Sequence, residues 1–442
     1  MSILLINPLD YISGIRYPVN RPPYDMLYLE SYLQHKGVMV FYLDIENEKI
    51  TKDEFRRRIN EINADYYVIN TTGKSYHFQN FLKTPGLIKE IITEIKKNNP
   101  KSFIMLSGET SNIYTEMYLQ LEINCILFDE PEYGVLEIVK TQAKSPVDLK
   151  NIKGIYYKSQ GIFFKNPPRN TMKTLDELPP PRWEKLGGYL WDSAYRERKE
   201  FIDIIGARGC PHNCKFCKSS LSDKVLCHSP EYLLKQIKVL NKEFGYTDFF
   251  IRDYGYFEDS SRCQDLCSGL KDIKGIIWKC NSRINSMNEA KLRLMKESGC
   301  SLISYGIESG NDRTLKIVNK GITVKESLQT VLMTKRQGIK TAAYFILDFP
   351  CENLRDKLKT FIFAKKINAD ILYINQYYPL KMPAYKNVIK KLKEKFNLSF
   401  NALLTILFFW RRESITYYHQ LRVDRLGYNF KHYLVARKKL RW

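Results

Sequence analysis

Three cysteines fall within eight residues, Cys210-Pro-His-Asn-Cys214-Lys-Phe-Cys217, in the spacing C-x3-C-x2-C. Thiolates this close on one loop can hold a metal ion or an iron–sulfur cluster without ligands from distant parts of a fold. Three chemistries compete for them. Zinc needs four ligands and would recruit His212 or Cys227, because no second cysteine pair follows Cys217 at a fitting spacing. A structural disulfide leaves one thiol over and suits an oxidising compartment. A four-iron cluster on three cysteines leaves one iron with an open coordination position for a substrate or cosubstrate.

The loop follows an apolar run at 201–206 that reads as a buried strand. Further strands are expected at 248–252, 275–281, 302–306, 340–347 and 371–375, with helices between them at 230–244, 262–270, 288–298, 324–337 and 354–367. Six β-α units at this spacing predict a partial (β/α)6 parallel barrel with its site at the strand carboxyl ends, where the cysteine loop falls. Upstream, short apolar runs at 3–7, 38–43, 66–70, 103–106 and 125–128 alternate with amphipathic stretches at 24–35, 52–62, 84–97 and 132–141. That alternation predicts a second α/β unit, a doubly wound Rossmann-like sheet. Its strand ends, at Asn7-Pro8, Thr71-Thr72, Ser107-Gly108-Glu109 and Asp129-Glu130-Pro131-Glu132, are rich in small and hydroxylic residues. They suit a flat cofactor face, and equally suit well-made turns.

The expected domains are therefore 1–142 (Rossmann-like), 143–200 (a hairpin around Ser159-Gln160 and a linker stiffened by Leu178-Pro-Pro-Pro-Arg-Trp183), 201–385 (barrel) and 386–442 (a basic, aromatic, mostly helical extension). Lys and Arg outnumber Asp and Glu by 70 to 48, a net charge of +22, so anionic partners are favoured: nucleic acid, lipid headgroups or acidic substrates. No nucleic-acid module is recognisable in the basic tail. The longest apolar run, 402–410 followed by Arg411-Arg412, suits a buried helix or one lying at a membrane surface, and is too short for a span. Ten scattered cysteines do not make a secreted disulfide scaffold, and the start of the chain reads as a strand rather than a signal peptide, so a reducing cytoplasm is expected.

Cys210-x3-Cys214-x-Phe216-Cys217, with its aromatic residue before the last cysteine, resembles the signature of the radical S-adenosylmethionine superfamily. Companion segments follow in order: Phe249-Phe-Ile-Arg-Asp253 after the second barrel strand, Trp278-Lys-Cys-Asn-Ser-Arg283 on the third, Ser304-Tyr-Gly-Ile-Glu-Ser-Gly310 with Lys320-Gly321 on the fourth, and Phe345-Ile-Leu-Asp-Phe-Pro-Cys-Glu352 on the fifth. In the last, Asp348 and Cys351 stand where glycines are usual. Pro22-Pro-Tyr-Asp-Met-Leu-Tyr-Leu-Glu-Ser-Tyr-Leu33, with Gly37 and Asp44, is similar to the opening of the cobalamin-binding domains fused to one branch of the superfamily. Here Asp129 and Pro131 replace usual glycines, Tyr24-Asp25 replaces a small or apolar pair, and no Asp-x-His-x-x-Gly motif is present.

The resemblance implies a [4Fe-4S] cluster on Cys210, Cys214 and Cys217, with S-adenosylmethionine chelating the open iron. Glu308 and Arg283 would hold its charged and ribose groups, Phe216 would border it, and Asp253 would face it or the substrate. It further implies cobalamin near Thr71, Thr72, Ser107, Gly108 and Glu109, an external electron donor of flavodoxin or ferredoxin type, and methylation of an unactivated carbon. Cyclisation, ring contraction or oxidation with the same front end is the alternative, and an RNA- or lipid-interacting protein with a degenerate site is another. Cys263 and Cys267 lie one helical turn apart without an evident third partner. Cys125, Cys280 and Cys300 read as core residues, and Cys227 and Cys351 as thiols nearer the active face.

Overall fold

The computed structural model describes residues 1–8, 22–45, 47–72, 78–169, 171–186, 189, 195–217, 225–253, 255–377, 415–418 and 433–437. The chain divides into two compact units, Met1–Ala194 and Tyr195–Trp442.

In the first unit the strands β1 (Ser2–Asn7), β2 (Met39–Asp44), β3 (Tyr66–Asn70), β4 (Phe103–Ser107) and β5 (Cys125–Leu127) pair in parallel in the order β2-β1-β3-β4-β5. The apolar runs of β1, β3, β4 and β5 are buried on both faces, as a parallel sheet between two helix layers requires, while the edge strand β2 is buried only at its carboxyl end. Leu4, Ile6, Tyr67, Ile69, Ile104 and Leu106 share one core with Phe55 and Ile59 of the helix Lys52–Ile62 and with Ile88, Ile92 and Ile95 of the helix Phe78–Asn98. The chain leaves β1 for β2 on one side and returns to β3 on the other. This reversal opens a crevice at the carboxyl ends of β1 and β3.

A hairpin, β6 (Ile155–Ser159) and β7 (Ile162–Lys165), extends this sheet antiparallel from β5 and leaves β7 as its edge. Gln160 and Gly161 both have positive φ, +48° and +80°, the backbone a two-residue turn needs to match strand twist. The turn therefore sits one residue beyond its expected place.

In the second unit the strands β8 (Phe201–Ile204), β11 (Asp248–Ile251), β12 (Ile277–Ser282), β13 (Cys300–Glu308), β14 (Lys340–Leu347) and β15 (Ile371–Gln376) are parallel neighbours in chain order, the six units expected of a partial barrel. Between β8 and β11 lies a short antiparallel pair, β9 (Ala207–Arg208) and β10 (Leu226–Cys227), which flanks the cysteine segment. The intervening helices start on side-chain caps: Ser229 before Pro230, then Asp259, Asn288, Thr323 and Asn353, the last two as reciprocal capping boxes. At the amino ends of the strands Asp248 and Lys279 form a fully buried ion pair. The Asp248 carboxylate also accepts from the Glu197 and Arg198 amides, at 2.7 and 2.9 Å.

Beyond the barrel, where a mostly helical extension is expected, the described residues form two strands. They are β16 (Ile415–Tyr418) and β17 (Tyr433–Arg437), paired antiparallel and attached to β15. The apolar run 402–410 lies outside the described residues. Among those residues no helix is long and apolar enough to cross a membrane.

In the first unit the carboxyl end of β3 is tied to the segment that follows β4. Thr71 accepts the Ser111 amide at 3.2 Å through its hydroxyl and donates its own amide to Ser107 O at 2.7 Å. Gly108 holds φ +132°, and a Cβ there would meet Thr72 N at 2.5 Å. Gly108→Ala is expected to cost roughly 2–4 kcal/mol, read as a lower urea midpoint for the transition of this unit.

Candidate functional site

The cysteine segment leaves β8 and is pinned from several sides. Cys217 N donates to Cys214 O at 3.0 Å, Lys215 N to Val318 O at 3.0 Å, and Asn319 Nδ2 to Asn213 O at 2.8 Å. His212 directs Nε2 at both oxygens of Glu258, at 2.6 and 2.7 Å, so it is engaged away from the zinc role that its position suggests. Burial pushes the Cys210 thiol up, opposed by the His212 amide and reinforced by Cys217. Among the described residues no three His, Cys, Asp or Glu groups converge on a single ion.

From the cysteines a line of buried polar groups runs across the mouth of the barrel. Arg283, just past β12, places Nη1 3.6 Å from Cys214 Sγ and donates through Nη2 to Lys320 O. The Lys320 ammonium lies 2.8 Å from Glu308 Oε1, both side chains being 8% exposed. Lys320 also stands over the Phe216 ring, 5.8 Å from its centroid, and Phe216 meets Phe349 edge-on at 5.4 Å. Glu308 ends β13 with φ +70° after a register shift between Gly306 and Glu308. A Cβ on Gly306 would lie 2.4 Å from Glu308 Oε1 and 2.9 Å from Lys320 Nζ, so the glycine makes the room the ion pair occupies.

Asp253, beyond β11, is 2% exposed and accepts the Gly206 amide at 2.7 Å, while its Oδ1 has no hydrogen-bond partner among the described residues. Burial lifts its carboxyl to about 7 against the opposing pull of the Ala207 and Gly206 amides. Glu352 is similarly lifted to about 7, chiefly by burial, and accepts from Phe349 N at 3.2 Å and Ser309 Oγ at 3.3 Å. Asp348, where a glycine is usual, keeps the left-handed backbone a glycine would have, φ +67°, and its carboxylate is ion-paired with Lys357. Asp tolerates that conformation better than most residues.

The expected cofactor face of the first unit is largely knitted to itself. Thr71 and Ser107 are buried, and the Thr71 hydroxyl is shared with Ser111 at 2.8 Å. Thr72 Oγ1 donates to Asp25 at 3.3 Å and accepts the Glu109 amide at 3.3 Å. Asp129 turns its carboxylate to the Arg169 amide at 2.6 Å, and Glu130 accepts the amides of Thr171 and Met172 at 3.0 and 2.8 Å. Asp129, which stands where a glycine is usual, and its neighbour Glu130 thus tie the linker to the sheet. The half-buried Thr72 and Glu109 remain at the rim.

Three arrangements escaped the reading of the sequence. Lys320 is noted there only as part of a motif, and its role as the counter-ion of Glu308 appears in the fold. Tyr344, in register with Gly306, stacks on Tyr373 at 4.5 Å and is hydrogen-bonded to Tyr195, which also accepts from Ser304 at 2.9 Å. Cys263, expected to lie with Cys267 alone, has its thiol pushed up first by Cys267 and burial, with Cys300 a further cause, and burial pushes up the Cys280 thiol, reinforced by Cys300. All four are buried.

The profile of the Radical SAM superfamily matches residues 204–364. An uncharacterized methyltransferase of Pyrococcus horikoshii is 30% identical over 379 residues, covering 84% of this chain and 79% of its own. The anaerobic magnesium-protoporphyrin IX monomethyl ester cyclase of Rubrivivax gelatinosus is 25% identical over 394 residues, 86% of this chain and 68% of its own. Among solved structures, the cobalamin-dependent S-adenosylmethionine radical enzyme OxsB shares the fold at TM-score 0.67 and 19% identity. The match covers 91% of this chain and 56% of OxsB, so this chain spans little more than half of that protein. The radical S-adenosylmethionine methyltransferase TsrM of Kitasatospora setae aligns at TM-score 0.69 and 15% identity, over 84% of this chain and 72% of its own.

The raised carboxyl of Asp253 makes a signed prediction. Its folded value, about 7, lies above the ordinary 3.8, so between these values the folded state holds a proton that the unfolded state has lost. Stability should therefore fall as pH rises from about 4 to about 7 and flatten above, with a slope of at most ~1.4 kcal/mol per unit from this group. Asp253→Asn should remove that component from the pH dependence of the urea midpoint.

Proposed function

Because this chain belongs to the radical S-adenosylmethionine superfamily, we propose that Cys210, Cys214 and Cys217 hold a [4Fe-4S] cluster and leave its fourth iron to S-adenosylmethionine. The chemistry supplied there, when both are bound, is reductive cleavage of the sulfonium C–S bond to methionine and a 5′-deoxyadenosyl radical. The observation that carries this reading is the buried line from Cys214 through Arg283 and Lys320 to Glu308. It sets charged groups of both signs beside the cysteines at the mouth of a parallel barrel.

Each residue has its own task. Arg283 keeps a positive charge against the Cys214 sulfur, which tempers the negative charge of a thiolate-ligated centre. Glu308, oriented by Lys320, accepts hydrogen bonds from the cosubstrate's hydroxyl or ammonium groups. Asp253 offers Oδ1, a buried oxygen lacking a donor among the described residues, to a cation or hydroxyl. Phe216 and Phe349 exclude water from the same side.

For the overall reaction we propose cobalamin-dependent methylation of an unactivated carbon, with the corrin over the strand ends of the first unit at Thr72 and Glu109. Thr72 and Glu109 remain half-buried at this rim, and the Asp129 carboxylate is engaged by the Arg169 amide of the linker, which supports a ligand there. The likeness to a methyltransferase at 30% identity favours methyl transfer, and the likeness to a cyclase over 86% of the chain favours the second reading, cyclisation or oxidation without it. The reductant is a flavodoxin- or ferredoxin-type donor in the cytoplasm, a compartment that suits ten free cysteines.

Anaerobically reconstituted protein with dithionite should form 5′-deoxyadenosine, and Cys210→Ala, Cys214→Ala or Cys217→Ala should abolish it. Glu308→Gln should weaken cosubstrate binding about tenfold or more; unchanged affinity by equilibrium dialysis would remove its role. Corrin retained on gel filtration, with S-adenosylhomocysteine formed alongside 5′-deoxyadenosine, selects methylation. 5′-Deoxyadenosine alone selects the second reading.

A further inference from the structure

The hairpin at the edge of the first sheet has an unusual surface. All four residues of β7, Ile162-Phe-Phe-Lys165, are exposed. Ile162 is 61% exposed, Phe163 42% and Phe164 40%, so large apolar side chains reach solvent on both faces of a strand that has no neighbour on its outer side among the described residues, even though Phe164 also stacks on Tyr157 at 5.2 Å. Val147, 79% exposed, stands on the short helix Pro146–Leu149, which packs beside β6. Scattered exposed apolar residues are ordinary, but a run concentrated in one small hairpin marks an interaction surface.

The charges around it are one-sided. Between residues 144 and 165 the chain carries five lysines, Lys144, Lys150, Lys153, Lys158 and Lys165, all exposed, against one acidic residue, Asp148. Asp148 is internally engaged, accepting from the amides of Lys144 and Ser145 and from the Ser145 hydroxyl. Two of the lysines sit on the aromatic groups themselves. Lys158 lies over Phe163 at 5.5 Å, and Lys165 over Phe128 and Tyr156 at 5.0 and 5.3 Å. Aromatic bodies with ammonium groups above them have the form of side chains at a bilayer interface, where rings enter the acyl boundary and cations meet headgroup phosphates.

We propose that this hairpin is a membrane-contact site: Ile162, Phe163 and Phe164 enter the interface of an anionic bilayer, and the lysines bind its headgroups. The charge excess selects this occupant over a strand from a second copy, which would bring the same five lysines into opposition. An interfacial position also leaves water for the unpaired backbone of β7, which a bilayer core would not. The contact is independent of the cluster and of the reaction, and would hold the enzyme near a lipid-soluble or membrane-bound substrate.

Flotation of the full chain with phosphatidylcholine vesicles, with and without phosphatidylglycerol, tests it. Wild type should float with the anionic vesicles and remain below with the neutral ones. The double variant Ile162→Ser/Phe163→Ser should bind the anionic vesicles about tenfold more weakly or less. Lys158→Gln and Lys165→Gln should each lower binding about fivefold at low salt. Both positions are exposed, so unfolding midpoints should match wild type and confirm that the fold persists. The proposal is overturned if wild type does not float, if it floats equally with neutral vesicles, or if the apolar variant binds as well as wild type, which would assign binding elsewhere on the chain. A concentration-dependent dimer that the apolar variant dissolves would equally overturn it, in favour of edge pairing between two copies.

Discussion

The buried ion pair of Lys320 and Glu308 is the constraint on which the mouth of the barrel depends. Neither charge could sit there alone, since breaking such a pair leaves an uncompensated buried charge at a cost of about 3–5 kcal/mol. The pair in turn requires the empty space over Gly306, the register shift that precedes Glu308, and the Lys320 carbonyl that receives Arg283. Arg283 then reaches Cys214. One electrostatic contact thus links the end of β13, the segment after β12 and the cysteine loop, three pieces of chain far apart in sequence.

The amino ends of the barrel strands are organised differently. Asp248 and Lys279 are wholly enclosed, and the amides of Glu197 and Arg198 complete the carboxylate's hydrogen bonds. Burying two charges in this way specifies an arrangement more than it adds stability. At the carboxyl ends, by contrast, the buried Asp253 and the half-buried Glu352 have carboxyls lifted to about 7. Closed charge at one end and titratable charge at the other fit the division seen in parallel barrels, where stability and chemistry occupy opposite faces.

How far the molecule was legible in its sequence depends on the range of the interaction concerned. The strands were legible because a buried parallel strand writes an unbroken apolar run, and the hairpin because a Gly follows two polar turn residues between β-rich segments. The cysteine loop was legible because its ligands are local. Glu308 and Arg283 could be named from their motifs, but that Lys320 neutralises one and receives the other follows only from the turn between them. The influence of Cys300 on the thiols of Cys263 and Cys280 was invisible because these residues lie on a helix and two strands separate in sequence. At Thr71 and Ser107 the difficulty was chemical: a hydroxyl that faces a ligand and one that bonds its neighbour's backbone are the same letter. Asp248 was read as part of a strand without notice of its charge, because its counter-ion lies on the next strand.

Asp348 shows how a motif can lose its residue and keep its shape. The backbone there still takes the left-handed turn, φ +67°, and the added carboxylate reaches Lys357 on the helix Leu354–Lys366. What a glycine would leave as a hinge has become a tether. The rim of the barrel at β14 is thereby fastened to the helix behind it, so a ligand pressing on this rim meets a whole helix rather than a loop. Any movement of this edge of β14 must carry the helix with it.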